Sequence, residues 1–372
     1  MKTIVVIPVY QSMNALEKIS LQQAVRIFQK EPLCLVTPKS MDVSEYLAYG
    51  DFQIERFADR WFQSIGTYSE LLLDARFYER FSAYEYLLIY QLDAFVFRDD
   101  LPHFCSLGYD YFGAPWSPAD WCHRVSGHAI GNGGLSLRHV RHTIAILRRY
   151  QDVIQRDWLP RLDPVGEDMV FAWMAAQEKS DYTTAPVDIA LKFSIARETC
   201  HIFRHLEEKT LPFGIHKWYQ LDLPIWLPYI ESFGYDIDLS DEHIQWMMTV
   251  DLRKIGITNW AMERLANRGD WKRMHESVRT MLPRERSLYL RGAGKIGKQI
   301  EATLRKAQIP VDGILEQGMP LPEAQAFILV ATTRYEKEIV AELQHAGRVQ
   351  GRDFLTSRVF ENQFLRTYYK RI

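Results

Sequence analysis

The chemistry this 372-residue chain could perform is concentrated in a few polar residues set among apolar and glycine-rich stretches. The first lies in the run Tyr86-Leu87-Leu88-Ile89-Tyr90-Gln91-Leu92-Asp93-Ala94-Phe95-Val96-Phe97. That run is too short to cross a membrane and rich in strand formers, so it reads as a buried central strand. Gln91 and Asp93 interrupt it two positions apart, and such residues of a strand face the same way. A buried carboxylate is costly unless it is paired, hydrogen-bonded or bound to a cation. Asp93 either caps the following turn or, where the strand leaves the sheet, holds a divalent metal against a diphosphate. His216, in Pro212-Phe213-Gly214-Ile215-His216-Lys217-Trp218, is a second metal-ligand candidate, with Lys217 or Trp218 beside it to touch phosphate or sugar. Oxygen ligands suit Mg²⁺ or Mn²⁺, and the histidine tilts the choice to Mn²⁺. Gly131-Asn132-Gly133-Gly134 would let backbone approach a ligand, although a tight hairpin explains it equally well. Glu167-Asp168 opens an apolar helical pattern, where the helix dipole favours acids.

The elements that must position these groups read as alternating strands and helices. Thr3 to Val9 is a strand, Ala15 to Gln29 a helix and Leu33 to Val36 a second strand, which predicts a right-handed crossover in a doubly wound α/β domain. No GxGxxG follows the first strand, so Pro8, Val9 and Tyr10 at its end would hold a nucleotide through base and ribose. A helix is expected over Tyr68 to Phe81, a stiff aromatic loop suited to stacking on a sugar over Tyr109 to Trp121, and a helix over Arg138 to Trp158. The arginines of that last stretch read as a solvated face, or as a patch for anionic lipid. Asp99 and Asp100 read as turn residues close to Asp93.

Taken together, these segments resemble GT-A glycosyltransferases, with Gln91 in place of the first Asp of their DxD strand. They look closest to a bacterial family of sugar transferases catalogued as a domain of unknown function. The similar segments are Ile7 to Tyr10, Tyr109 to Trp116, Gly131 to Arg138, Glu167-Asp168 and Pro212 to Trp218, in the family's order over roughly the first 230 residues. The resemblance implies a mixed α/β sheet with helices on both faces and a donor site of Pro8, Val9, Tyr10, Gln91, Asp93, Asn132, Gly133, Gly134 and Lys217. It also implies a metal on Asp93 and His216, and Asp168 as first choice for the base, with Glu167 second. The expected activity is transfer of a sugar from a nucleotide-diphosphate donor, UDP-galactofuranose or UDP-galactose by preference, to a glycan or lipid-linked glycan in bacterial surface polysaccharide synthesis. Direct displacement by such a base would invert the anomeric centre.

A glycosyltransferase domain over 1–238, a helical connector over 239–284 and a small Rossmann-like domain over 285–372 account for the length. The last contains Gly292-Ala293-Gly294-Lys295-Ile296-Gly297 between a strand and a helix, with Glu316 where a ribose-binding acid would lie. With fewer than 90 residues (about half a dinucleotide fold), a structural or oligomerising role is preferred to nucleotide binding. That loop also supports a competing class, an NAD-dependent oxidoreductase or epimerase; a non-catalytic sugar-nucleotide-binding protein is a third. A net charge of -2 argues against bulk nucleic-acid binding. Without a membrane-spanning run or any CxxC pair, the expectation is a cytoplasmic enzyme, either simply cytosolic with an ordinary frayed basic terminus or held peripherally at the inner membrane face by its basic stretches.

Overall fold

The computed structural model describes residues 2–118, 120–196, 210–220, 223–238, 279, 282–283, 285–306, 308–332, 334–357 and 359–360. Most of the expected 239–284 connector and the basic tail 362–372 lie outside them. The chain divides into two compact units, Met1–Gln220 and Leu221–Ile372. Among the described residues, no helix is long and apolar enough to cross a membrane.

The first unit is built on a six-stranded mixed sheet of order β3-β2-β1-β4-β7-β6. Strands β1 (Thr3–Pro8), β2 (Leu33–Pro38), β3 (Gln53–Phe57) and β4 (Tyr86–Tyr90) are parallel. β6 (Tyr111–Phe112) and β7 (Leu135–His139) extend the sheet through antiparallel pairings. Ile4 to Ile7 and Leu87 to Tyr90 are wholly buried, as unbroken apolar strands covered on both faces require. Each such side chain contributes roughly 1.5–3 kcal/mol by leaving water. The crossover helix Ala15–Ile27 starts at a capping box: Asn14 Oδ1 accepts from the backbone N–H of Leu16 and Glu17, and Glu17 Oε2 accepts from that of Asn14.

Residues 86–97 do not form one strand. β4 ends at Tyr90, Gln91 to Asp93 make a corner closed by the Ala94 N–H donating to Gln91 O (2.8 Å), and β5 (Ala94–Val96) joins a second sheet. That sheet has the order β5-β9-β8, with β8 at Ser194–Ala196 and β9 at Gly214–His216. Apolarity alone could not reveal the break, because both strands are buried. The helix expected over 68–81 is two, Ile65–Leu72 and Ala75–Glu79, because Asp74 caps a fresh start. Arg138 and His139 belong to β7, and the following helix is Val140–Arg149.

The second unit contains four parallel strands, β10 (Leu288–Arg291), β11 (Gly313–Leu315), β12 (Phe327–Val330) and β13 (Phe354–Thr356), in the order β11-β10-β12-β13. Helices Lys295–Lys306 and Glu336–His345 accompany it. Its core includes Leu315, Ile328, Val330, Leu343 and Phe354.

Candidate active site

A cleft of about 560 Å³ opens in the first unit beyond the carboxyl ends of β1 and β4. Pro8, Val9 and Tyr10 line it from β1, Gln91 and Asp93 from the corner after β4. Asn132, Gly133 and Gly134 enter from the segment before β7, Glu167 and Asp168 from a helix start, and His216 and Lys217 from the end of β9. All twelve sequence-predicted site residues therefore face the same cavity.

One arm is the corner. Antiparallel pairing of Ala94 with His216 sets the imidazole beside Asp93. His216 Nε2 lies 3.0 Å from Asp93 Oδ1 and 3.3 Å from Gln91 Oε1. Hydrogen-bond geometry exists only for the second contact, so Asp93 Oδ1 is buried without a hydrogen-bond partner. Burial alone would push the Asp93 carboxyl up; the charge and contact of His216, with Lys217, outweigh it and hold the group below its ordinary value. Adjacent ligand atoms about 2.1 Å from a divalent ion lie roughly 3 Å apart, so these separations and the orphaned oxygen fit such a cation. Lys217 has φ 58°, in the left-handed region disfavoured for a residue with a side chain.

The other arm is acidic. Glu167 and Asp168 begin the helix Glu167–Ala175. Glu167 Oε1 accepts from Arg138 Nη2 (3.1 Å), and its Oε2 accepts from Ser69 Oγ (3.1 Å). Asp168 is half-buried and accepts two backbone N–H groups, Met169 on Oδ1 (2.8 Å) and Gly133 on Oδ2 (3.3 Å). Burial, then the neighbouring Glu167, push the Asp168 carboxyl up to about 7 against the pull of those N–H groups and Arg138.

Gly133 and Gly134 bring the arms together. A Cβ on Gly134 would fall 2.0 Å from His216 Nε2, and one on Gly133 2.6 Å from Glu167 Oε1. Both glycines are required by close approach. Gln91 N–H donates to Gly134 O (2.9 Å), which ties the corner to the same backbone.

Glu17, Tyr46, Tyr68, Ser69 and Tyr219 also line the cleft and were not foreseen. Tyr68 Oη and Asn132 Oδ1 are buried without hydrogen-bond partners. The Ser64 capping box marks the helix that carries Tyr68 and Ser69, but nothing local aims it at Glu167.

Several expectations are corrected. Tyr111, Phe112 and Trp116 are buried in the core, where Tyr111 stacks on Phe171, so these three rings serve packing, whereas Trp121 is exposed. Trp218 is wholly buried, donates to Ser20 Oγ (3.0 Å) and does not line the cleft. Arg138 is wholly buried, not part of a basic face; Arg148, Arg149 and Arg156 pair with Glu79, Asp181 and Asp157. Asp100 pairs with Arg98, and neither Asp99 nor Asp100 lines the cleft. Asp110, His139 and His142 bring potential metal-ligand atoms together elsewhere. There, Asp110 already accepts from Thr183 N (2.7 Å) and Oγ1 (2.8 Å) and contacts His142 Nδ1 (2.5 Å), a clasp complete without an ion.

A family model described as a protein of unknown function (DUF5672) matches residues 51–216, a span holding both arms but not the end of β1. Among solved structures, the chain is similar to the galactosyltransferase LgtC in complex with donor and acceptor sugar analogues. That match has 12% identity and a TM-score of 0.43, over 65% of this chain and 99% of that one. The chain is also similar to mouse xyloside xylosyltransferase 1 in its apo form, at 10% identity and a TM-score of 0.39, over 58% of this chain and 97% of that one. No curated protein matches it.

Proposed function

We propose that the chain is a glycosyltransferase that moves a sugar from a nucleotide-diphosphate donor, UDP by preference, to a hydroxyl of a glycan or lipid-linked glycan. The observation that carries this reading is the pairing, in one cleft, of buried polar atoms that lack hydrogen-bond partners with a carboxylate, Asp168, that burial and Glu167 push above its ordinary value. A polyhydroxylated ligand supplies the donors and acceptors that Tyr68, Asn132 and Asp93 lack.

Pro8, Val9 and Tyr10 hold the nucleoside, and Lys217 meets the diphosphate. A divalent cation held by Asp93, His216 and Gln91 would neutralise charge on the departing diphosphate. With a single carboxylate among these ligands, metal affinity is modest. Asp168 takes the proton of the acceptor hydroxyl as its oxygen bonds to the anomeric carbon, and the electron pair of the broken bond leaves with the diphosphate. This single displacement inverts the anomeric centre. Within the second unit, 285–372 is a Rossmann-like module whose glycine turn serves a structural or oligomerising role. A galactosyl or galactofuranosyl donor and a place at the inner membrane face, in surface polysaccharide synthesis, complete the proposal.

A thermal-shift screen of UDP-, GDP- and dTDP-sugars, with and without Mn²⁺, followed by transfer assays with the best donor, tests it. The expected result is a saturable shift with one donor base, strengthened by Mn²⁺, and loss of transfer in Asp93→Ala exceeding that in Gln91→Ala. Near-normal turnover of Asp93→Ala in EDTA removes the metal. Donor binding without transfer or hydrolysis makes the chain a binding protein, and a shift with NADH alone makes it an oxidoreductase.

A further inference from the structure

Arg138 is the buried charge that neither the fold nor the proposed displacement explains by itself. It projects from β7 and is wholly buried. Nη1 donates to Tyr78 Oη (2.6 Å), Nε to Ser136 Oγ (3.1 Å) and Nη2 to Glu167 Oε1 (3.1 Å). Its guanidinium also lies over the rings of Phe171, at 4.9 Å, and Tyr111, at 5.3 Å. A purely structural ion pair here could be replaced by apolar residues of similar volume at little cost or with a gain. The chain instead places the pair directly against the cleft. A side chain on Gly133 would meet Glu167 Oε1 at 2.6 Å, Arg138 Nη2 at 3.2 Å and Asp168 Cβ at 3.2 Å, so the three groups crowd a single point.

We infer that Arg138 and Glu167 form a positioning pair: Arg138 holds the Glu167 carboxylate in place, and the negative charge fixed there makes the adjacent Asp168 the group that exchanges a proton with substrate. The assignment removes Glu167 as an alternative base, because both its oxygens already accept hydrogen bonds from Arg138 and Ser69. Among the described residues Asp168 forms no ion pair; Arg138 is bonded to Glu167, and Asp168 accepts two backbone N–H groups. The titratable groups facing this acid pair are Tyr111 from β6, Tyr68 from the helix Ile65–Leu72, Tyr78 from the helix Ala75–Glu79 and Arg138 from β7. All three tyrosine hydroxyls are pushed above their ordinary value, by burial first, and stay neutral. Glu167 and Arg138 are thus the charges that decide how Asp168 titrates.

The use of this pair rests on the transferase reading, but its test does not. In the full chain labelled with ¹³C at aspartate carboxyl carbons, the Asp168 signal is assigned by its loss in Asp168→Asn and followed against pH without substrate. The expected wild-type midpoint is near 7. In Glu167→Gln, which keeps an acceptor for Arg138 but removes the charge, the midpoint should fall by about two units or more. A Glu167→Gln midpoint within about half a unit of wild type overturns the inference. Should that variant not fold, the wild-type chain still decides: a midpoint in the ordinary carboxylate range, roughly 3–4.5, refutes it. Failure to find any transferred sugar would leave this titration untouched, so the two readings fail separately.

Discussion

The carboxyl ends of the two parallel sheet regions were treated differently by the fold. In the first unit they border a cleft in which Asp93 Oδ1, Tyr68 Oη and Asn132 Oδ1 are buried without partners. In the second unit the arginine at the carboxyl end of β10 is satisfied internally. Buried Arg291 donates to Glu316 O and to both oxygens of Glu342 (3.1 and 3.2 Å). At the opposite, amino ends of this sheet, buried Arg348 donates to Ala326 O (3.1 Å), Pro322 O (2.7 Å) and Glu323 O (2.7 Å). Its glycine turn is also explained by packing. A Cβ on Gly297 would fall 2.0 Å from Gly292 O, and Gly292 has φ 125°. Burial of polar groups marks both regions; the cleft is set apart by gathering several atoms without hydrogen-bond partners around one cavity.

The sharpest way to break this comparison is to unpair a charge beside the cleft. Arg138→Met leaves Glu167 buried without its cation and should cost about 3–5 kcal/mol in urea unfolding followed by a probe in the first unit. A loss below about 1 kcal/mol would mean that Glu167 simply takes up a proton without strain.

Next in size is Asp168→Asn, nearly the same shape but unable to accept a proton. It should lower turnover by about 10²-fold or more, roughly 2.7 kcal/mol, with donor affinity almost unchanged. Weaker donor binding at normal turnover would reduce Asp168 to a structural role.

In the second unit, Gly297→Ala forces backbone to move and should cost about 1–3 kcal/mol, read by hydrogen exchange in β10 and β12. Gly294→Ala, whose Cβ would meet nothing within 4 Å, should change stability by less than about 1 kcal/mol. Equal effects would show that steric packing does not account for the motif.

The last expected effect is a pH dependence. Asp168 titrates near 7 when folded, against about 3.9 in an unfolded chain. Its contribution to stability is therefore fully present below the unfolded value and lost as pH rises through 7. Asp168→Asn should abolish that loss, so its Tm relative to wild type should rise between pH 4 and pH 8. A difference independent of pH would place the group's folded and unfolded titrations together.

By itself, the sequence determined the β-α-β opening, the parallel strands around the glycine turn of the second unit and twelve of the residues that line the cleft. Those signals are local: apolar runs, glycines that permit close approach, acids at a helix start, a histidine in a short strand. Tertiary structure decided how they are used. The 86–97 run splits between two sheets because strand partners are chosen across the fold, β7 for β4 and β9 for β5, and apolarity does not encode partners. Arg138 looked like the first residue of a solvated arginine run, since charge spacing cannot distinguish an ion exposed to water from one enclosed by Tyr78, Tyr111 and Phe171. Glu167 and Asp168 are neighbours of the same chemical type, and nothing in their order separates them. They differ because the helix start turns one carboxylate inward to Arg138 and Ser69 and leaves the other facing the cleft, held by backbone N–H groups alone.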